Sequence, residues 1–191
     1  MKIGVLASQG AFAEHIATLQ KLGVEAMPVR LPRELRGLDG LIIPGGESTT
    51  ISKLMSVYSL MDGIGALAKA GTPVFGTCAG MILMAREISG NGTGHLGLMN
   101  ITVRRNAFGR QRESFETELA IPVLGDKPFH AVFIRAPLIE HCGRGVEVLA
   151  KLDNGAIVAA RQGNFLASAF HPELTEDLRF HRYFLDIVSG K

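Results

Sequence analysis

Gly76-Thr77-Cys78-Ala79-Gly80 sets a cysteine between two glycines at the point where a short apolar run gives way to helical periodicity. A nucleophile on a sharp strand-to-helix turn is held in a strained backbone conformation, and side chains two positions away on either side would collide there. The glycines meet that requirement. The same turn places Cys78 near a helix N-terminus, whose partial positive charge favours a thiolate. It also aims the N–H of Ala79 at the space beside the sulfur, as one half of an oxyanion hole. The competing reading of these five residues is a small buried hydrophobe in a glycine-rich turn. Cys142, in His141-Cys142-Gly143, has no such context and reads as structural.

A cysteine nucleophile needs a base, and the base needs an orienting group. Phe170-His171-Pro172-Glu173-Leu174 offers both immediately after the last strand-like segment, at the C-terminal sheet edge where open α/β folds build their sites. Proline between them stiffens the turn so that His171 and Glu173 point the same way. The remaining histidines, His15, His95, His130, His141 and His181, read as polar surface residues. Pro44-Gly45-Gly46-Glu47-Ser48-Thr49-Thr50 follows another strand, and its paired glycines let main-chain N–H groups approach a ligand. Gly46 is therefore a candidate second oxyanion donor beside Ala79. On residues alone the segment equally fits a tight turn followed by a serine helix cap. A P-loop is excluded, because no Gly-Lys-Ser/Thr follows at the required spacing.

Gly92-Thr93-Gly94-His95-Leu96-Gly97 matches the G-x-G-x-x-G string of dinucleotide binders, but it is expected to follow a helix and precede a strand, the reverse of the required order. The His and Cys positions show no metal-ligand spacing. No cofactor and no metal are expected.

These residues must be held by a scaffold, and the 191 residues suit one compact domain spanning 1–191. With 47% hydrophobic and 20% charged residues, 23 Gly and 8 Pro, the chain is neither disordered nor low-complexity. The net charge of +2 is too small and dispersed to suggest nucleic acid as the partner. No signal peptide or membrane-length apolar stretch is visible. Two cysteines do not make a disulfide framework, so a cytoplasmic location is expected and the sequons at Asn91 and Asn100 are read as accidental.

Lys2 to Ala7, Val24 to Arg30, Leu38 to Ile43 and Pro73 to Thr77 read as buried strands, separated by helices over Ala11 to Leu22 and Ser48 to about Ala70. The second helix is expected to break near Gly63 and Gly65, and Ala79 to Glu87 reads as a third helix. From Asn100 onward the pattern changes to extended segments at Ile101 to Arg104, Phe115 to Ile121, His130 to Ile134, Val146 to Leu152, Ala156 to Arg161 and Phe165 to Phe170. A last helix runs from about Glu176 to Val188. The fold class is α/β: an open mixed, mainly parallel sheet with helices on both faces, plus added antiparallel hairpins.

The ordered set of Gly-Thr-Cys78-Ala-Gly, Pro-Gly-Gly46-Glu47-Ser48 and His171-Pro-Glu173 resembles the class I, or triad, glutamine amidotransferases. Further stretches narrow the match: Gln9-Gly10, His95-Leu96-Gly97-Leu98, Arg105-Asn106-Ala107-Phe108-Gly109-Arg110-Gln111, Ser114-Phe115-Glu116 and Phe133-Ile134-Arg135-Ala136-Pro137. Together they resemble the glutaminase subunits of pyridoxal 5'-phosphate synthase over essentially the whole chain. The resemblance implies a flavodoxin-like, class I amidotransferase-like fold and hydrolysis of L-glutamine to L-glutamate and ammonia through a glutamyl thioester. It implies Cys78 as nucleophile, His171 as base then acid, and Glu173 as the group that orients His171. The glutamine-binding positions it implies are Gly46, Glu47, Ser48, Arg105, Ile134 and Arg135; on charge complementarity Glu47 is expected to meet the α-ammonium and Arg105 the α-carboxylate.

It also implies a partner, a (β/α)₈-barrel synthase subunit that receives the ammonia in a hetero-oligomer and completes the oxyanion hole near Gly45-Gly46. Two other readings stay open on the residues. A different cysteine-dependent α/β hydrolase would share the elbow, and release of ammonia from glutamine but not from a peptide separates the two. A catalytically silent scaffold subunit would share the fold, and covalent labelling of Cys78 by a glutamine-like electrophile separates that one.

Overall fold

The computed structural model describes residues 1–90, 95–109 and 113–191. Five short apolar runs form the parallel half of its main sheet: β1 (Lys2–Leu6), β2 (Glu25–Val29), β3 (Gly40–Ile43), β4 (Val74–Thr77) and β12 (Phe165–Ser168). They lie in the spatial order β2-β1-β3-β4-β12, each neighbouring pair in parallel register. β3 and β4 are buried along their whole length, as strands in a sheet covered on both faces must be.

Beyond β12 the sheet turns antiparallel through β11 (Ile157–Gln162), β9 (Leu138–Cys142) and β6 (Met99–Arg104). β10 (Glu147–Lys151) also pairs with β11, and β5 (Ala85–Ile88) runs parallel to β6 at the far edge. A separate antiparallel hairpin joins β7 (Ser114–Leu119) to β8 (Phe129–Ile134).

The helices are α1 (Phe12–Lys21), α2 (Ser48–Val57), α3 (Leu60–Lys69), α4 (Ala79–Met84) and α5 (Arg179–Val188). Adjacent strand residues point to opposite faces, and β4 shows what covers each. The ring of Phe75 meets Phe180 and Phe184 of α5 and His15 of α1. On the other face, a Cβ at Gly76 would lie 2.6 Å from both the carbonyl carbon of Gly80 and the sulfur of Met84 in α4. Helices therefore flank β4 on both sides. Aromatic contacts run from Phe75 through Phe180 to Phe170, and on through Phe133 to the hairpin. The hairpin is thereby packed into the same core that holds α5.

Three elements differ from the sequence reading. The long helix breaks at Tyr58-Ser59, where Ser59 takes φ 57°, while Gly63 and Gly65 lie inside α3. Gly63 is there for packing: a Cβ at that position would come 2.7 Å from a methyl of Leu35. The expected helix over Ala79 to Glu87 stops at Met84, and Ala85–Ile88 pairs with β6 instead. Tertiary pairing outweighs a weak helical preference there. Leu138–Cys142, where the sequence pattern indicates no strand, is β9, the strand that links β11 to β6. Because Ala85–Ile88 is a strand, the segment around His95 follows a strand, not the helix expected. Gly92, Thr93 and Gly94, the Asn91 sequon and Arg110-Gln111 lie outside the described residues.

Among the described residues no helix is long and apolar enough to cross a membrane. Phe75 is fully buried between α1 and α5. Phe75→Ala is expected to cost about 3–5 kcal/mol in urea unfolding, and a loss below about 1 kcal/mol would contradict this account of the core.

Candidate active site

Cys78 ends β4 and opens α4 with φ 49° and ψ −103°, a conformation that L-residues adopt only where the surroundings enforce it. Three contacts enforce it here. The Cys78 N–H donates to the Ser168 carbonyl at the end of β12 (2.7 Å), and its carbonyl accepts from Ile82 N–H (3.3 Å). A Cβ at Gly80 would run into the Ile43 carbonyl oxygen of β3. Cys78 is only 7% exposed, and its sulfur lies 3.8 Å from the Ile134 carbonyl oxygen. Ile134 ends β8, and the next residue, Arg135, has φ 44°.

His171 comes to the same place from the other end of the chain. Phe170 is wholly buried against Phe129, Phe133 and Phe180, and the His171 N–H donates to the Val132 carbonyl of β8 (2.8 Å). Pro172–Leu174 then form one turn of 3-10 helix, which folds Glu173 back beneath the imidazole. Glu173 Oε1 lies 2.7 Å from His171 Nδ1, with neither side chain more than 8% exposed. Burial opposes a charge on His171, but hydrogen bonds with Cys78 on one side and Glu173 on the other raise its pKa to about 10. The ring is therefore an imidazolium at neutral pH. Burial alone would push the Glu173 carboxyl up, yet His15 and His171 beside it reverse the balance and hold it below the ordinary carboxylate range.

The glycine loop after β3 packs directly on this pair. A Cβ at Gly45 would strike the His171 ring, and one at Gly46 would strike the Gln9 side chain. The loop is pinned by three hydrogen bonds: Gly45 N–H to Thr77 Oγ1 (3.0 Å), Ala11 N–H to the Gly45 carbonyl (3.1 Å) and Glu47 N–H to Gln9 Oε1 (2.8 Å). With a trans peptide, the Gly45 carbonyl turned toward Ala11 directs the Gly46 N–H the opposite way. Glu47 is the N-cap of α2. It accepts from the N–H groups of Thr49 and Thr50 and from both hydroxyls, and those hydroxyl bonds lead in lowering its pKa to about 2. The cap suggested for Ser48 thus falls one residue earlier, and Ser48 is buried in the first turn.

A cleft of about 300 Å³ opens over these groups. Its lining brings together every site residue named from sequence except Glu173, which lies behind His171: Gly46, Glu47, Ser48, Cys78, Ala79, Arg105, Ile134, Arg135 and His171. Gln9, Ile82 and Asn106 complete the wall. Asn106, with φ 45°, carried no chemical signal in the sequence beyond its place beside Arg105. Arg105 and Glu47, assigned to opposite charges of one ligand, face each other at 3.5 Å across the cleft. No group of His, Cys, Asp and Glu among the described residues could hold a metal ion.

His15 and His181 correct the sequence reading. Both are fully buried, because α1 and α5 turn these faces onto Phe75. His95 is partly buried, whereas His130 and His141 lie at the surface.

A family model for the SNO glutamine amidotransferase family matches residues 5–189. The chain belongs to that family. It is 60% identical over 189 residues to the pyridoxal 5'-phosphate synthase subunit PdxT of Moorella thermoacetica, covering 99% of this chain and all of that one. It is 61% identical over 186 residues to the protein of the same name from Pelotomaculum thermopropionicum, covering 97% of this chain and 94% of that one. A crystal structure of a glutamine amidotransferase superposes with a TM-score of 0.93 at 51% identity, over 99% of this chain and all of that one.

In this amidotransferase the folded-state pKa of His171 lies above that of an unfolded histidine, so its contribution to stability is complete below about pH 6.5 and is lost as pH rises through about 10. The difference in unfolding free energy between wild type and His171→Gln is expected to shrink across that interval. A difference independent of pH would contradict the paired imidazolium.

Proposed function

We propose that this chain, acting as one domain, hydrolyses L-glutamine to L-glutamate and ammonia and supplies the ammonia to a pyridoxal 5'-phosphate synthase. The observation that carries the reading is Cys78 on a strained elbow, sharing one cleft with a His171 ring that is itself held by a buried Glu173.

The chemistry follows from those positions. An imidazolium beside the sulfur favours the thiolate, which attacks the side-chain amide carbon of glutamine. The oxyanion that forms is held by the Ala79 N–H at the start of α4 and by the Gly46 N–H of the adjoining loop. His171 donates its proton to the departing nitrogen, ammonia leaves, and a glutamyl thioester remains on Cys78. Water then enters. His171, now neutral, takes a proton from it, hydroxide adds to the thioester, and glutamate is released with the thiolate restored. Glu173 keeps its charge throughout and stabilises each imidazolium. At the mouth of the cleft, the α-ammonium and α-carboxylate of glutamine would separate Glu47 from Arg105, exchanging one ion pair for two.

The finer reading is that the partner is a (β/α)₈-barrel synthase subunit in a hetero-oligomer, that the two meet in the cytoplasm, and that the barrel completes the oxyanion loop at Gly45-Gly46. The pinning of that loop by Ala11, Gln9 and Thr77 supports this, since a partner touching the start of α1 would move it.

An ammonia assay with glutamine tests the proposal. Release is expected to rise when a barrel-type synthase is added and to vanish in Cys78→Ala, and release that survives Cys78→Ala would refute it. Glu47→Ala is expected to raise KM for glutamine about tenfold or more while Cys78 remains alkylatable; an unchanged KM would remove Glu47 from the substrate site.

A further inference from the structure

Behind the cleft, the polar chain does not end at Glu173. One carboxylate oxygen, Oε1, faces His171, whereas Oε2 is buried with no hydrogen bond of its own. Oε2 lies 3.3 Å from Nε2 of His15, with both side chains wholly excluded from solvent. His15 Nε2 is also 3.2 Å from Thr77 Oγ1, and its Nδ1 lies 2.9 Å from Nε2 of His181. His181 comes from α5 and is itself fully buried, with its Nδ1 unpartnered. Three elements distant in sequence thus send polar side chains to one dry point behind a carboxylate. A core needing only volume would fill it with leucine or phenylalanine.

Burial pulls the pKa of His15 below its ordinary value, and burial together with neighbouring His15 lowers that of His181 to about 3. Each ring is therefore neutral and carries one N–H. Two proton arrangements are possible. If His15 holds its proton on Nδ1, it donates to His181, and the lone pair on His15 Nε2 faces a carboxylate oxygen with no proton between them. His181 Nδ1–H is then a buried donor without an acceptor. If His15 holds its proton on Nε2, that proton faces Glu173 Oε2 and Thr77 Oγ1, and His15 Nδ1 accepts from His181 Nε2–H. A lone pair on His181 Nδ1 is then unpaired, and the Thr77 hydroxyl, which accepts from Gly45 N–H, gives up donation to His15 Nε2, a smaller loss than a lone pair set against a buried charge. The second arrangement removes a repulsion and satisfies a charge, so electrostatics select it.

We propose that His15 is a positioning residue of this site: a neutral imidazole, protonated on Nε2 and oriented by His181, that fixes the Glu173 carboxylate so that Oε1 faces His171. This role rests on the glutaminase reading above. Removing the Nε2 proton donor leaves one oxygen of a buried carboxylate unopposed, and the carboxylate can rotate away from His171 or take up a proton. Either change weakens the imidazolium that delivers a proton to the leaving ammonia. Glutamine binding at Glu47 and Arg105 is untouched, because His15 lies on the far side of Glu173 from the cleft.

Glutamine hydrolysis measured with the synthase subunit present separates this role from a packing role. His15→Phe is expected to lower kcat about tenfold or more with KM changed less than about twofold, and His15→Gln, which returns a neutral donor near the Nε2 position, to recover most of that loss. A folded His15→Phe with kcat within about twofold of wild type overturns the proposal, as does a His15→Gln no better than the phenylalanine variant. Should the substitutions fail to fold, nitrogen-15 NMR of the wild-type protein decides. The Nε2–H tautomer of His15 is expected, and the Nδ1–H tautomer overturns the assignment. Ammonia release that persists in Cys78→Ala is a different failure, since it overturns the glutaminase reading on which this role stands.

Discussion

A carboxylate kept charged out of reach of water is the constraint around which this protein is arranged. Removing one partner from a buried ion costs several kcal/mol, because the remaining charge has no solvent to fall back on. Glu173 is tolerable inside the fold only because His171 lies 2.7 Å from one oxygen and His15 3.3 Å from the other. The requirement works in both directions. The carboxylate holds a proton on Nδ1 of His171, and the ring so charged lines the same cleft as Cys78.

Holding those groups together draws on crowded parallel strands. β3, β4 and β12 end side by side, and each supplies a neighbour to the elbow: the Ile43 carbonyl beneath Gly80, Cys78 itself, and the Ser168 carbonyl that receives the Cys78 N–H. The hairpin β7–β8 contributes through its end, where the Ile134 carbonyl faces the sulfur and Val132 holds the His171 backbone. Phe170, locked among Phe129, Phe133 and Phe180, sets where the following histidine begins. The site is thus fixed by core packing on one side and by main-chain hydrogen bonds on the other, which is how side chains far apart in sequence hold sub-ångström geometry.

Much of this arrangement could be read from the chain because its signals are local. Glycines flanking Cys78, a proline between His171 and Glu173, and a glycine pair after β3 each stand in a short readable string, although the groups that crowd Gly80, Gly45 and Gly46 are distant in sequence: Ile43, His171 and Gln9. What escaped notice was non-local. Leu138–Cys142 mixes Glu140 and His141 with apolar residues, and its identity as a strand depends on partners in β6 and β11. Ala85–Ile88 is a strand only because β6 lies beside it. His15 and His181 stand on helices whose buried faces are decided by a ring in β4, and no spacing in the sequence ties His15 to Glu173. Gly63 and Gly65 pointed to a helix break that fell instead at Ser59; Gly63 packs against Leu35, and no contact explains Gly65.

Gly45 shows how few independent parts the site contains. Its α-carbon lies against the imidazole, its N–H is tethered to the hydroxyl of Thr77, and its carbonyl is tethered to the start of α1. The imidazole and the glycine loop therefore share one point of contact. A displacement of the loop would press on the ring, so the aim of the imidazole and the set of the loop are mechanically linked.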